Sequence, residues 1–181
     1  MVRTWIGLLR GINVGKAKRV AMADLRASME SLGYGDVRTL LASGNVVFTS
    51  GRALPRDATD RMEQALVRAT GVSSRFTVLS ADELRQIVEA NPLAKQATDP
   101  SRMFVGFLQA ASDTTRLASI GSVKTWTPDA LAIGKRAVYV WCPNGQMESK
   151  LFEAIGKALG DRVTVRNWGT TTKLLGLATQ V

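Results

Sequence analysis

The 181-residue chain has no histidine and a single cysteine, Cys142. The first absence removes Ser-His-Asp and Cys-His nucleophile activation, histidine general bases and every histidine metal site. The second excludes an intrachain disulfide and any C-x-x-C metal or redox pair. No apolar run approaches the roughly 20 residues needed to span a bilayer. The apolar stretch from Trp5 to Leu9 is cut off by Arg10, so no signal peptide is readable and a cytoplasmic address is expected. Carboxylate pairs suited to acid/base work are also missing. Asp57 and Asp60 fall where they complement a helix dipole, and Glu148 and Glu153 share a helix with Lys150 and Lys157, an ordinary solvated face. An enzyme here would have to use Asp, Glu, Lys, Arg, Tyr or backbone groups. No catalytic constellation stands out, so whether the chain is an enzyme stays open. No metal, cofactor or membrane partner is expected, and the oligomeric state is not legible.

What the chain has is positive charge: 24 basic against 15 acidic residues, a net +9. The excess is local. From Met1 to Ala23 there are five basic residues, Arg3, Arg10, Lys16, Lys18 and Arg19, and no acid. From Arg162 to Val181 there are three, Arg162, Arg166 and Lys173, again without an acid. Such segments suit an anionic partner, or are solvated edges.

Periodicity gives the organisation. Val2–Leu9 reads as a strand, and Leu25, Met29 and Leu32 lie at helical spacing before Gly33. Val37–Ala42 and Val46–Thr49 are strands around Ser43-Gly44-Asn45, where Gly and Asn tolerate positive φ. Met62, Ala65, Leu66 and Ala69 form a helix face closed by Gly71, and Phe76–Leu79 is a strand. That order, β-α-β-β-α-β, is the ferredoxin-like pattern. Ser80 with Glu83 makes a capping box for a short helix ended by Asn91-Pro92, and Lys95–Ser101 reads as a linker. The order then resumes with a strand at Met103–Leu108, a helix at Thr114–Ile120, and strands at Leu131–Gly134 and Val138–Cys142. A helix marked by Met147, Leu151, Ile155 and Leu159, a strand at Val163–Val165 and a terminal helix follow. The expected fold is therefore α+β, with two tandem ferredoxin-like (βαββαβ) subdomains. Residues 1–80 form the first, 81–101 a linking helix and loop, and 102–181 the second plus the C-terminal helix.

Two segments carry the chemistry. Arg10-Gly11-Ile12-Asn13-Val14-Gly15-Lys16 follows the first strand. It is not a nucleotide-triphosphate loop: three residues separate the glycines where four are needed, and Ala17 stands in place of the Mg²⁺-binding hydroxyl. What remains is a glycine-rich turn ringed by Arg10, Lys16, Lys18 and Arg19, either an anion nest or a basic surface loop. Arg166-Asn167-Trp168-Gly169-Thr170-Thr171-Thr172-Lys173 leads into the terminal helix. A threonine there would cap the helix, and Arg166 and Lys173 flank an N-terminus that favours an anion. Trp168 is a stacking platform or, in the favoured reading, a packing residue. Tyr139 and Trp141 share one strand face, open for base stacking or, as favoured, covered. Cys142 alternates with valines and reads as a small buried hydrophobe.

The chain resembles the bacterial Domain of Unknown Function 1697 (DUF1697) family. The resemblance rests on Leu8-Leu9-Arg10-Gly11-Ile12-Asn13-Val14-Gly15, Met22-Ala23-Asp24-Leu25-Arg26 and Ser43-Gly44-Asn45-Val46-Val47-Phe48. Asn91-Pro92 and Arg166-Asn167-Trp168 followed by Thr172-Lys173-Leu174 complete it. Where members usually carry glycine, proline and asparagine, this chain has Lys16, Ala21 and Gly169. The resemblance implies two ferredoxin-like subdomains and no particular reaction, ligand or cofactor. Its characteristic positions are the two basic loops and the Ser43–Asn45 turn.

The candidate ligand-binding residues are Arg10, Gly11, Asn13, Gly15, Lys16, Ser43, Asn45, Arg166, Asn167, Trp168 and Lys173. The expected function is binding of an anionic, phosphate-bearing ligand, a nucleic acid or nucleotide-like metabolite, held between the Arg10–Arg19 loop and the Arg166–Lys173 segment. Two alternatives stay open. One is a small enzyme acting on an anionic substrate through Lys16 or Lys173. The other is a protein-interaction or regulatory module.

Overall fold

Two four-stranded antiparallel sheets carry the chain, one formed from each half, in a mixed α+β architecture. The computed structural model describes residues 2–121 and 126–180. It divides into two compact units, Met1–Leu84 with Leu174–Val181, and Arg85–Lys173. The final eight residues are thus grouped with the first unit.

The first unit runs β1 (Arg3–Leu9), α1 (Met22–Glu30), β2 (Gly35–Leu40), β3 (Asn45–Ser50), α2 (Ala58–Thr70) and β4 (Phe76–Ser80). Its strand order is β2-β3-β1-β4. The central strand β1 pairs with β3 on one side, Leu8 opposite Asn45, and with β4 on the other, Leu9 opposite Phe76. The end of β1 and the starts of β3 and β4 therefore meet at one end of the sheet. One sheet face contributes Leu9, Val46, Phe48 and Phe76 to a core completed by Leu25 and Met29 of α1 and Met62 and Leu66 of α2. Those helical residues are four apart, so each pair sits one turn above the other on the buried stripe. Gly71 ends α2 with φ 71°, and its N–H donates to the Val67 carbonyl at 2.8 Å.

The capping box opens α3 (Ala81–Glu89) as expected. The Ser80 N–H donates to Glu83 Oε2 at 2.8 Å, and the Glu83 N–H donates to Ser80 Oγ at 3.1 Å. Then follow β5 (Met103–Leu108), a 3-10 turn over Ala111–Leu117, β6 (Ala130–Ile133), β7 (Ala137–Trp141), α4 (Lys150–Leu159), β8 (Val163–Asn167) and α5 (Trp168–Ala178). The second sheet has the order β6-β7-β5-β8, the same permutation as the first. Phe104, Leu108, Val138, Val140 and Val163 pack with Leu151, Ile155 and Leu159 of α4.

Two expected helices differ. The segment read as a helix over Thr114–Ile120 is a tight 3-10 turn. The hydroxyls of Thr114 and Thr115 donate to the Ala111 and Ser112 carbonyls, three residues back, at 2.8 Å each. Such local bonds compete with the α-helical ladder. Met147 does not lie on the core face of α4. Ser149 accepts from the Phe152 N–H at 2.9 Å and caps the helix there, which leaves Met147 outside it and 90% exposed.

Tyr139 is no open stacking surface: its ring is buried and its hydroxyl donates to the Ile87 carbonyl at 2.7 Å. Burial pushes its phenol up to about 12, and pushes the Cys142 thiol, also fully buried, up to about 11. Both groups favour the fold while neutral. Their contribution is complete below the unfolded values near 9 and 10 and is lost as pH rises through the folded ones. Stability to urea should therefore fall as pH rises from 9 to 12. Cys142→Ala, less stable throughout, should show a shallower decline between pH 9 and 11; an unchanged slope would contradict the assignment.

Gly106 on β5 allows a close approach, because a Cβ there would meet Val138 Cγ1 at 2.6 Å and Val163 Cγ2 at 2.9 Å. Gly106→Ala should cost about 1–3 kcal/mol by urea denaturation.

Candidate functional site

The segment joining β1 to α1 is not a loose loop. Ile12 and Val20 are buried in the first unit's core and pin it at two points, while Val14, Gly15, Lys16, Ala17, Lys18 and Arg19 between them are exposed. Asn13 ties the loop together. Its N–H donates to the Lys18 carbonyl at 3.0 Å and its Oδ1 accepts from the Val20 N–H at 2.9 Å. Its Nδ2 donates to the Val20 carbonyl at 2.9 Å and, across to the turn between β2 and β3, to the Ala42 carbonyl at 2.7 Å. That turn is anchored in the same way. Asn45, fully buried, donates from Nδ2 to the Leu40 carbonyl at 2.8 Å and to Ser43 Oγ at 2.9 Å. The Leu9 N–H donates to the Gly44 carbonyl at 2.8 Å. Gly44 has φ 79°, and a Cβ there would meet both Leu9 and Ile12 at 2.7 Å, so the turn closes directly over the loop's base. The other positive φ in this turn falls on Leu41 (59°), not on Asn45, which already belongs to β3.

The loop backbone has a distinctive handedness. Gly11, Asn13 and Gly15 have φ of 63°, 55° and 62°, while Ile12 and Val14 between them do not adopt positive φ. Backbone of alternating handedness is found in nests, turns whose N–H groups can take up an anion. Among the described residues, the N–H groups of Gly11, Ile12, Val14, Gly15 and Lys16 donate to no protein acceptor. Lys16, Lys18 and Arg19 are exposed and make no ion pair among the described residues. Arg10 is exposed at the loop's start. Its N–H donates to the Arg75 carbonyl at 3.1 Å and its carbonyl accepts from Ser74 Oγ at 2.9 Å.

Arg75 is the cation that the sequence analysis missed. Leu9 pairs with Phe76, so the next residue out on each strand, Arg10 and Arg75, come together. Glu63 of α2 pairs with Arg75 at 3.5 Å and accepts from the Phe76 N–H at 3.0 Å. Arg3, counted in the same acid-free segment, stands at the opposite end of β1, roughly 20 Å away at the usual strand rise.

Over residues 2–139 the sequence matches the family described as Protein of unknown function (DUF1697). The chain belongs to the DUF1697 family. No curated protein matches it. This DUF1697 chain is similar in structure to the conserved bacterial protein SP0830 from Streptococcus pneumoniae, with TM-score 0.79 and 25% identity over 99% of each chain.

In the second unit of the DUF1697 chain, Asn167 is the N-cap of α5: its Oδ1 accepts from the Thr170 N–H at 2.8 Å. The threonines expected to cap instead bond back along the helix, Thr171 to the Asn167 carbonyl at 2.9 Å and Thr172 to the Trp168 carbonyl at 3.1 Å. Trp168 is half-buried and Lys173 exposed. Burial pushes the Arg166 guanidinium down to about 10, and its Nη1 donates to the Val165 carbonyl at 2.9 Å. Neither Lys16 nor Lys173 has a carboxylate partner among the described residues. Among them, too, no group of three or more Cys, Asp and Glu side chains could hold a metal, and no helix is long and apolar enough to cross a membrane.

Asn13→Ala would strip partners from the Val20 N–H and from two carbonyls. It should cost about 1–3 kcal/mol by urea denaturation and speed amide exchange at Val20. Unchanged exchange there would show that another contact holds the loop.

Proposed function

We propose that the loop between β1 and α1 binds an anionic, phosphate-bearing ligand. The observation that carries this reading is the alternating backbone of Gly11–Gly15, with the N–H groups of Gly11, Ile12, Val14, Gly15 and Lys16 unclaimed by the protein. Exposed Lys16, Lys18 and Arg19, with Arg10 and Arg75 at the loop's base, add a positive field without paying for charge burial. Arg10, Gly11, Gly15 and Lys16 are the residues that face the ligand. Asn13, Ser43 and Asn45 position them, since the two asparagine amides are spent on loop carbonyls and on the Ser43 hydroxyl. Asn167 is likewise engaged, as the cap of α5. We also infer that each unit has the ferredoxin-like topology. Support comes from the strand permutation the two sheets share, fourth beside first, then third, then second.

The test is a titration with pyrophosphate and with short oligonucleotides at 20 and 200 mM salt, followed by intrinsic tryptophan fluorescence or calorimetry. Binding should weaken with salt, and Lys16→Glu together with Lys18→Glu should lower affinity at least tenfold while leaving the urea midpoint in place. Binding indifferent to both substitutions would contradict this site.

A further inference from the structure

We infer that the anionic group taken by this loop is a terminal phosphate, the dianionic end of a small phosphorylated molecule, and not the diester backbone of a nucleic acid. The inference rests on the anion-binding reading above and narrows it. The five unclaimed N–H groups come from six consecutive residues, Gly11 to Lys16, whose sixth N–H, that of Asn13, is taken by the Lys18 carbonyl. So many free donors within one short turn suit a single compact anion. A terminal phosphate offers three oxygens and a charge of about −1.5 to −2. A diester offers two free oxygens and one charge, which leaves donors and cations of this loop unmatched.

The distribution of charge agrees. Duplex binding spreads cations along a backbone that carries one charge per ~3.4 Å of each strand. Here Arg10, Lys16, Lys18, Arg19 and Arg75 are gathered at one end of the first sheet, and Arg3 lies at the far end of β1. Single-stranded binding uses aromatic platforms. No aromatic residue occurs between Trp5 and Tyr34 or between Tyr34 and Phe48, so the loop and the turn beside it hold none. Their exposed apolar side chains are aliphatic, Val14 (71% exposed) and Leu41 (53%), and cannot stack on bases.

The absence of histidine gives the test its clarity. Histidine is the side chain whose ordinary titration lies between pH 5 and 8, and this chain has none. The charged groups around the loop are its own Arg10, Lys16, Lys18 and Arg19, with Arg75 just before β4, its partner Glu63 on α2, and Asp24 in the first turn of α1, into which the loop leads. The Leu41–Gly44 turn contributes none. A fall in affinity between pH 7 and 5 therefore reports the second ionisation of the phosphate, near pH 6.

The experiment is calorimetry at 20 mM salt with three probes: pyrophosphate, an octanucleotide with a 5′-phosphate and the same octanucleotide without it. The 5′-phosphate should raise octanucleotide affinity at least tenfold. Its affinity should drop roughly tenfold from pH 7 to 5, and Lys16→Glu should abolish the difference between the two octanucleotides. Equal binding of the two octanucleotides, or a flat pH profile for the phosphorylated one, would overturn the terminal-phosphate inference and leave anion binding standing. Failure of all three probes to bind would overturn both.

Discussion

The Asn13 side chain, with the Leu9–Gly44 backbone bond beneath it, joins two loops at one end of the first sheet. Its carbonyl oxygen holds Val20 and its amide nitrogen holds both Val20 and Ala42, so one residue closes the β1–α1 loop and fastens it to the β2–β3 turn. Each such bond contributes roughly 1 kcal/mol net, but removing the residue leaves several groups unpaired at once. Beneath it, Gly44 lets the turn approach Leu9 and Ile12 more closely than any side chain would allow. Asn45 then fixes the turn from inside. These constraints hold Gly11–Gly15 in its alternating conformation, which a free chain would leave for the entropy of an open loop.

The same constraints explain why the site is chemically plain. The polar side chains best suited to orient a ligand, Asn13 and Asn45, are spent on the loops. What remains for recognition is backbone N–H and the fixed charge of lysine and arginine. Such a set can bind and orient an oxyanion, yet among the described residues it includes no nucleophile–base pair that would transform one.

Much of this was legible in the sequence. Leu25/Met29 and Met62/Leu66 marked the helix faces, Ser80 and Glu83 the cap, and Gly71 a helix end, because each depends on local spacing or on one residue's backbone freedom. The DUF1697 motifs located the loop and the turn. The meeting of Arg10 with Arg75 was not legible, because it depends on β1 pairing with β4, a contact between residues far apart in the chain. The positive φ at Leu41 escaped because leucine seldom adopts it, while the neighbouring Ser-Gly-Asn drew the turn assignment instead. The Thr114–Thr115 segment misled for a different reason: hydroxyl bonds to the backbone, invisible to apolar periodicity, tightened a helix into a 3-10 turn. The capping role of Asn167 was not legible because the threonines that follow it are equally good caps by residue type, and only the Thr170 N–H partner singles it out.

The central claim is that the β1–α1 loop presents a preformed set of N–H donors to an anion. It is tested most directly by amide-resolved NMR of the ¹⁵N-labelled protein titrated with pyrophosphate. The account predicts saturable shifts concentrated at Gly11, Ile12, Val14, Gly15 and Lys16, with Asn13, whose N–H is already bonded to Lys18, moving less. Shifts scattered over basic residues of both units without saturation, or none in Gly11–Lys16, would contradict it.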